Sequence, residues 1–429
     1  MHGADSAGRG GEDMREIWDY IVIGAGPAGS VFCAKAAASL RILRLDGSFR
    51  GEKPCGGLLA PQAAEAIASL GWTMPTKVLA DPQVFAVRTI DLQAEIVQSY
   101  PRSYLNMRRP AFDAWLRGMA GSGVTTIRAR ATGLRQEADG WTVEFRCPDG
   151  SVDTARGRAI VGADGAGSLV RRAVAPGRDI LRYTAIQQWF PLEGVAPLYA
   201  CVFHRPTSES CSWIFTKDGQ IAFGGAFAPK GARENFEEQK RLLRERYGFP
   251  LAQALRTEAC AVYRPRRRRD LYMGRAGAYL LGEAAGLISP SSFEGISYAL
   301  KSGAALADAA NAAARRREGD AVQDAREGKP ARGGMGNENC AEALGASGSG
   351  LVHESVKRNR GATGMGECET PVQRRMADEA AQVFAAYRRA TAGLRREVLR
   401  RRAKRPFMYW PWLRRLVMKS GVQALRREK

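Results

Sequence analysis

The chain has 429 residues, 45% hydrophobic and 25% charged, with a formal net charge of +21 at pH 7. That length holds two domains or one interleaved pair, and no run of 18 apolar residues of the kind a spanning helix needs occurs in it. Eight cysteines stand singly without a C-x-x-C pair and only three histidines accompany them, so a metal centre is not expected, and a reduced, cytoplasmic protein is the simplest reading.

Residues 1–17 are polar and glycine-rich with no apolar signal core, and are expected to be disordered. Tyr20-Ile-Val-Ile-Gly24-Ala-Gly26-Pro-Ala-Gly29 then reads as a buried strand, a glycine turn and an Ala-rich helix. In such a turn Gly24 permits the bend, Gly26 lets backbone approach a pyrophosphate, and Gly29 lets the helix lie close to the strand. The next strand ends in Asp46, 22 residues after Gly24, where a ribose-binding acid belongs. A dinucleotide site is therefore expected at the start of the chain.

A loop through Lys53-Pro-Cys55-Gly56-Gly57 and a short helix from Pro61 follow. Residues 73–105 alternate apolar and polar in short pieces, as in an antiparallel sheet. A helix resumes at Pro110 with Phe112, Trp115, Leu116 and Met119 as its apolar stripe. The strand Arg158-Ala-Ile-Val161 enters a second glycine loop containing Asp164 and Gly165. Residues 183–270 are strand-rich, interrupted by a charged helix from Ala232 to Tyr247. The run Arg264-Pro-Arg-Arg-Arg-Arg269 reads as a solvated edge, or as a docking point for an acidic electron donor or a substrate diphosphate.

The strand Ala278-Tyr-Leu-Leu281 leads into a third loop, Gly282-Glu283 to Pro290 and on to Gly295, and then into a long helix ending near Arg317. No aromatic occurs between Tyr298 and Phe384, and residues 318–372 are expected to be a disordered insertion. Helical periodicity returns for a C-terminal region, 373–429. From Arg388 to Lys429 the chain carries fifteen Lys or Arg against two Glu, around the cluster Phe407-Met-Tyr-Trp410-Pro-Trp412. Basic residues interleaved with interfacial aromatics suit an anionic membrane surface better than nucleic acid, and a helix docked on the protein body is the plainer alternative.

The three glycine-containing loops, each following a strand, resemble those of FAD-dependent oxidoreductases with the p-hydroxybenzoate hydroxylase fold. Within that group the chain is most similar to the geranylgeranyl reductase branch. The resemblance implies an α/β fold in which a Rossmann-like FAD-binding domain (18–72, 106–182 and 271–317) is interleaved with a mainly antiparallel β substrate domain (73–105 and 183–270), followed by a C-terminal helical tail. It implies that Gly24, Gly26 and Gly29 cradle the pyrophosphate and that Asp46 binds the adenosine ribose. Arg109, Asp164, Gly165 and Glu283, the last standing where the family usually has Asp, would lie along the cofactor, and Pro290 and Gly295 would pass close to the flavin ring. Cys55-Gly56-Gly57 resembles the branch's Pro-Cys-Gly-Gly element beside the isoalloxazine, where Cys55 is either a chemical group or a small packing residue. Cys211-Ser-Trp213-Ile-Phe215-Thr216 resembles its Tyr-x-Trp-x-Phe-Pro substrate motif, with Trp213 and Phe215 retained.

The function implied is reduction of carbon–carbon double bonds in an isoprenoid or similar apolar lipid by hydride from reduced flavin. The reductant would be NAD(P)H or a ferredoxin- or flavodoxin-type donor, because only one dinucleotide fingerprint is present. An oxygen-using monooxygenase or halogenase on the same fold is the alternative, and a non-catalytic flavoprotein at the membrane surface a third.

Overall fold

A computed structural model describes residues 17–48, 53–327, 370–403 and 410–419. The expectations for residues 1–16, for most of 318–372 and for the Phe407 end of the aromatic cluster lie outside the described residues.

The chain opens on β1 (Trp18–Ile23), α1 (Pro27–Lys35) and β2 (Ile42–Leu45), a parallel unit in which Tyr20 pairs with Ile42. β1 is apolar along most of its length because both faces of the sheet are covered. The chain then crosses to a second sheet through β3 (Leu58–Leu59), α2 (Pro61–Ser69), β4 (Val84–Asp91) and β5 (Ile96–Asn106). It returns by α3 (Arg109–Gly118) and β6 (Val124–Ile127). β7 (Arg130–Glu137), β8 (Gly140–Arg146) and β9 (Val152–Gly162) form an antiparallel flap whose last strand lies parallel to β1.

After α4 (Leu169–Val174) the second sheet takes β10 (Arg182–Pro191), β11 (Tyr199–Phe203), β12 (Ser212–Lys217) and β13 (Gln220–Phe227). Helix α5 (Ala232–Tyr247) and β14 (Arg256–Tyr263) complete it. The short strands β15 (Gly274–Arg275) and β16 (Ala278–Leu280) close the first sheet. Helices α6 (Ile296–Arg326), α7 (Pro371–Ala390), α8 (Ala392–Ala403) and α9 (Pro411–Lys419) follow. The sheet orders are β15-β16-β9-β1-β2-β6, with β7 and β8 attached, and β14-β10-β13-β12-β11-β4-β5-β3.

Two boundaries differ from the sequence expectation. Helix α6 continues to Arg326, so 318–326 are helix rather than the start of an insertion. Its last turns are charged and solvated, and the apolar periodicity that marks a helix ends before the helix does. Leu58–Leu59 joins the second sheet by pairing with Leu105 and Asn106, a contact too short to leave a repeating pattern.

Helices α1 and α6 cross closely at Gly303, where a Cβ would collide with the carbonyl oxygen of Ala28. The second sheet is two-faced. One face packs Phe223 and Phe227 on Phe236 of α5, and the other carries Trp189 and Phe215, with Tyr199 and Trp213 alongside. Helix α7 buries Val383 and Tyr387 against the first sheet, and Tyr387 Oη donates to the carbonyl of Leu280 at 2.7 Å. Among the described residues no helix is long and apolar enough to cross a membrane.

Candidate functional site: a cleft between the two sheets

A cleft of about 920 Å³ runs from the first glycine turn to the aromatic face of the second sheet. At its start Gly24 holds φ +109°, and a Cβ there would stand 2.5 Å from the carbonyl oxygen of Ala163. A Cβ on Gly29 would collide with the carbonyl of Gly24. Gly26 differs from both: nothing lies within 4 Å of where its Cβ would be. Two glycines thus serve close packing and the third leaves open space at the start of α1, where free N–H groups and the dipole favour an anion. Asp46 closes β2 at the same end, its Oδ1 accepting the Ser48 N–H at 2.9 Å and its Oδ2 3.7 Å from Arg117 Nε. Arg117, Arg130, Arg146 and Arg172 add positive charge along this stretch of the cleft.

Further in, Asp164 Oδ2 accepts the Leu169 N–H at 2.6 Å and so caps α4 beside the N-cap Ser168. Among the described residues its Oδ1 is buried without a hydrogen-bond partner. Burial pushes its carboxyl pKa up although Ser168 and Leu169 hydrogen-bond to it. An orphaned carboxyl oxygen facing a cleft is completed by a ligand hydroxyl. Gly165, at φ +69°, follows it. Glu283 is held in place by accepting the Tyr263 N–H at 2.8 Å and by pairing with Lys53. Gly295, at the N-terminus of α6, lines the cleft together with Phe293, whose φ of +54° is unusual for a bulky side chain. Pro290 is buried in the same loop but does not reach the cleft surface. The open glycine, the orphaned carboxyl oxygen, the arginines and two helix N-termini fit an FAD molecule laid along this groove.

The loop Cys55-Gly56-Gly57 forms the next part of the wall. Cys55 Sγ accepts the Gly57 N–H at 3.4 Å, and the buried guanidinium of Arg109, which donates to Asp113 at 2.9 Å, lies close enough to Cys55 to interact with it electrostatically. Burial opposes the charge on Arg109, but those two partners outweigh it and raise its pKa. Lys217 Nζ sits beneath the loop and donates to the carbonyls of Gly56 at 2.6 Å, Met107 at 2.7 Å and Gly57 at 3.3 Å. All three of its donors are thereby used. Burial pulls its pKa down to about 8.

The far wall is the aromatic face of the second sheet. Trp213 lies over Gly224, whose Cβ would be 2.5 Å from the indole Nε1, so the glycine makes room for the ring. Trp213 Nε1 donates to Gln187 Oε1 at 2.9 Å, and Glu258 Oε2 accepts from Gln187 Nε2 and Trp189 Nε1, each at 3.1 Å. Phe215 is fully buried, its ring 3.0 Å from where a Gly56 Cβ would stand. Cys211 packs with Phe203 and Cys201 and does not line the cleft.

The structure thus brings Gly24, Gly26, Asp46, Cys55, Gly56, Gly57, Arg109, Asp164, Gly165, Glu283, Gly295, Trp213 and Phe215 to one cleft, while Gly29 and Pro290 support it from behind. The reading of Arg264–Arg269 as a solvated edge is corrected at its first residue. Arg264 is fully buried, stacks on Tyr183 and bonds the carbonyl of Glu209 at 2.9 Å, because β14 ends by turning it into the core. Sequence reasoning passed over Lys217, Gln187, Glu258, Arg102 and Tyr104. Arg102 and Tyr104 are two apart on β5 and both point inward, an alternation that could have flagged them. The others come from strands whose neighbours only the fold supplies.

No family model matches the chain. Protein CbrA of Escherichia coli O157:H7 is 41% identical over 293 residues, 67% of this chain and 82% of that protein, and Protein CbrA of Shigella sonnei (strain Ss046) matches to the same extent. The chain belongs to the CbrA family. Among solved structures, this CbrA-family fold is similar to a geranylgeranyl bacteriochlorophyll reductase-like protein of Thermoplasma acidophilum, with TM-score 0.60 and 16% identity over 94% of this chain and 99% of that one. It is also similar to the myxobacterial chondrochloren halogenase CndH (TM-score 0.57, 20% identity, 70% of this chain and 76% of that one). PqsL of Pseudomonas aeruginosa, a probable FAD-dependent monooxygenase, gives TM-score 0.53 and 19% identity over 73% of this chain and 90% of that one. At these identities the likeness establishes the fold, an α/β architecture shared by a reductase-like protein, an FAD-dependent halogenase and a probable FAD-dependent monooxygenase.

Proposed function

We propose that the protein is an FAD-dependent oxidoreductase that reduces a carbon–carbon double bond in an isoprenoid or similar apolar lipid. The observation that supports this most is the continuity of the cleft. It runs from the open turn at Gly26, past Cys55, to a wall of Trp213 and Phe215 without an intervening element. Bound FAD supplies hydride transfer. Reduction of an alkene consumes one hydride and one proton, and Cys55 Sγ is assigned as the proton donor, recharged from solvent through the cleft. Arg109 and Asp113 hold that thiol in position, Lys217 fixes its loop, and the aromatic wall keeps water from the apolar chain. The reductant is assigned as NAD(P)H or a ferredoxin- or flavodoxin-type donor.

The test is anaerobic. Flavin-loaded, pre-reduced protein is mixed with polyunsaturated prenyl lipids, and reoxidation with a lipid mass gain of one H₂ supports the reading. Products that form only with oxygen and contain oxygen or halogen would instead establish the monooxygenase or halogenase alternative. Cys55→Ala should cut lipid reduction by about 10²-fold, the usual worth of a positioned proton donor.

The basic tail, 388–429, belongs to the same proposal as a docking element for an anionic membrane. Supporting it, Trp410 just before α9 and Trp412 and Leu416 within it are 45%, 63% and 62% exposed beside the exposed Arg415. Exposed indoles flanked by basic residues suit an anionic headgroup layer.

A further inference from the structure

On β5 the cleft is lined by a cation that no acid among the described residues pairs with. Arg102 lines the cleft and lies over the Tyr104 ring at 5.2 Å. Among the described residues its side chain has no ion-pair or hydrogen-bond partner, and its Nε is buried without one. Tyr104 in turn meets Tyr199 edge-on at 5.0 Å, so the guanidinium sits on an aromatic shelf. The β4–β5 register shifts between Val84 and Ala86, opposite this stretch. Bulges of that kind re-aim side chains beside sites.

Two other arginines that line the cleft are paired with acids, Arg109 with Asp113 and Arg401 with Glu397. A buried, unsatisfied guanidinium N–H is costly unless a ligand completes it. We propose that Arg102 is the head-group anchor of the substrate cavity and that the substrate is an amphipathic lipid with an anionic head, phosphate or carboxylate, on an apolar chain. This rests on the lipid-reductase reading and narrows it. Arg102 is four residues from Asn106, which pairs with Leu58 directly after the Cys55–Gly57 loop. At the strand rise this is about 13 Å. The head-group site is therefore set apart along β5 from the strand that follows the Cys55 loop.

The test needs no turnover. Flavin-loaded full-length protein is titrated calorimetrically with decyl phosphate, decanoate and decanol, all monomeric in solution. The expected result is that at least one anion binds about tenfold or more tightly than decanol. Arg102→Gln should remove that preference while leaving decanol unchanged, and Arg102→Lys should retain part of it. Flavin content, read from the visible spectrum of each sample, checks that the variants are folded. Preference for phosphate over decanoate, or the reverse, names the head. Equal binding of decanol and the anions, no binding of either anion, or equal weakening of all three by Arg102→Gln overturns the proposal. Anion binding through Arg102 without any alkene reduction would instead sink the reductase reading and leave this one standing.

Discussion

Arg414 Nε lies 2.5 Å from Asp91 Oδ2, and both side chains are buried. This pair fastens α9 to the end of β4, while Asp91 Oδ1 also accepts the N–H groups of Gln93 and Ala94 at 3.0 Å. Burial alone would raise the Asp91 carboxyl, but Arg414 and the two backbone donors prevail and hold its pKa below the ordinary value. A depressed carboxylate contributes stability above its unfolded pKa, near 4, and loses it as pH falls below that. Removing one partner of a buried pair costs about 3 kcal/mol or more. Asp91→Ala should therefore release α9, seen as rapid amide exchange over 411–416 at neutral pH and an unchanged rate in β1. Equal protection of α9 in variant and parent would contradict this.

The three glycines of the first turn should separate by experiment. Gly24→Ala forces a side chain into a positive-φ position and against Ala163, a strain of about 2 kcal/mol or more that lowers the melting temperature. Gly26→Ala meets open space, so the apoprotein should melt within a degree or two of the parent, yet FAD binding should fall by about tenfold or more. If Gly26→Ala retains full FAD affinity, the proposed pyrophosphate position is wrong.

The same turn shows how much was legible beforehand. A strand–glycine–helix pattern is local, and so Gly24, Gly26, Gly29 and Asp46 could be placed from spacing alone. The loops at Asp164 and Glu283 were legible for the same reason. The neighbours that complete the site were not: Lys217 lies 160 residues from Gly57, and Glu258 meets Gln187 only because β14 pairs with β10. Non-local pairing across strands leaves no periodic trace. Arg264 was misread because a charge run says nothing about which member the chain turns inward.

Lys217 should give stability an unusual alkaline slope. Its pKa of about 8 lies below the ordinary lysine value, mainly through burial. Between pH 8 and about 10 the unfolded chain binds the extra proton, so stability rises with pH over that window. Relative to Lys217→Met, which cannot titrate, the parent should gain about 2 kcal/mol from pH 7 to pH 10. Urea midpoints at several pH values measure it, and a constant gap between the two proteins rules it out.

Membrane docking should depend on the exposed indoles. Trp410→Ala together with Trp412→Ala leaves the Arg414–Asp91 anchor intact, yet should lower partitioning into vesicles containing anionic lipid by about tenfold. The parent's binding should also weaken with salt, because headgroup attraction is screened over about 10 Å at 0.1 M. Sedimentation with neutral and anionic vesicles decides, and equal binding to both would remove the electrostatic component.

Tyr387 reaching the carbonyl of Leu280 has a consequence for how the chain is assembled. Helix α7, beyond residue 370, supplies Val383 and Tyr387 to the same core as β1 and β16. The two halves of that core are thus linked by noncovalent packing as well as by the segment between them. Residues 1–330 and 367–429, co-produced as separate polypeptides, should find each other and copurify as a complemented pair. The first piece alone would expose the patch that Tyr279 and its neighbours now share with α7, and should aggregate. Failure of the two pieces to associate would show that the covalent link, rather than the packing, keeps the final helices in place.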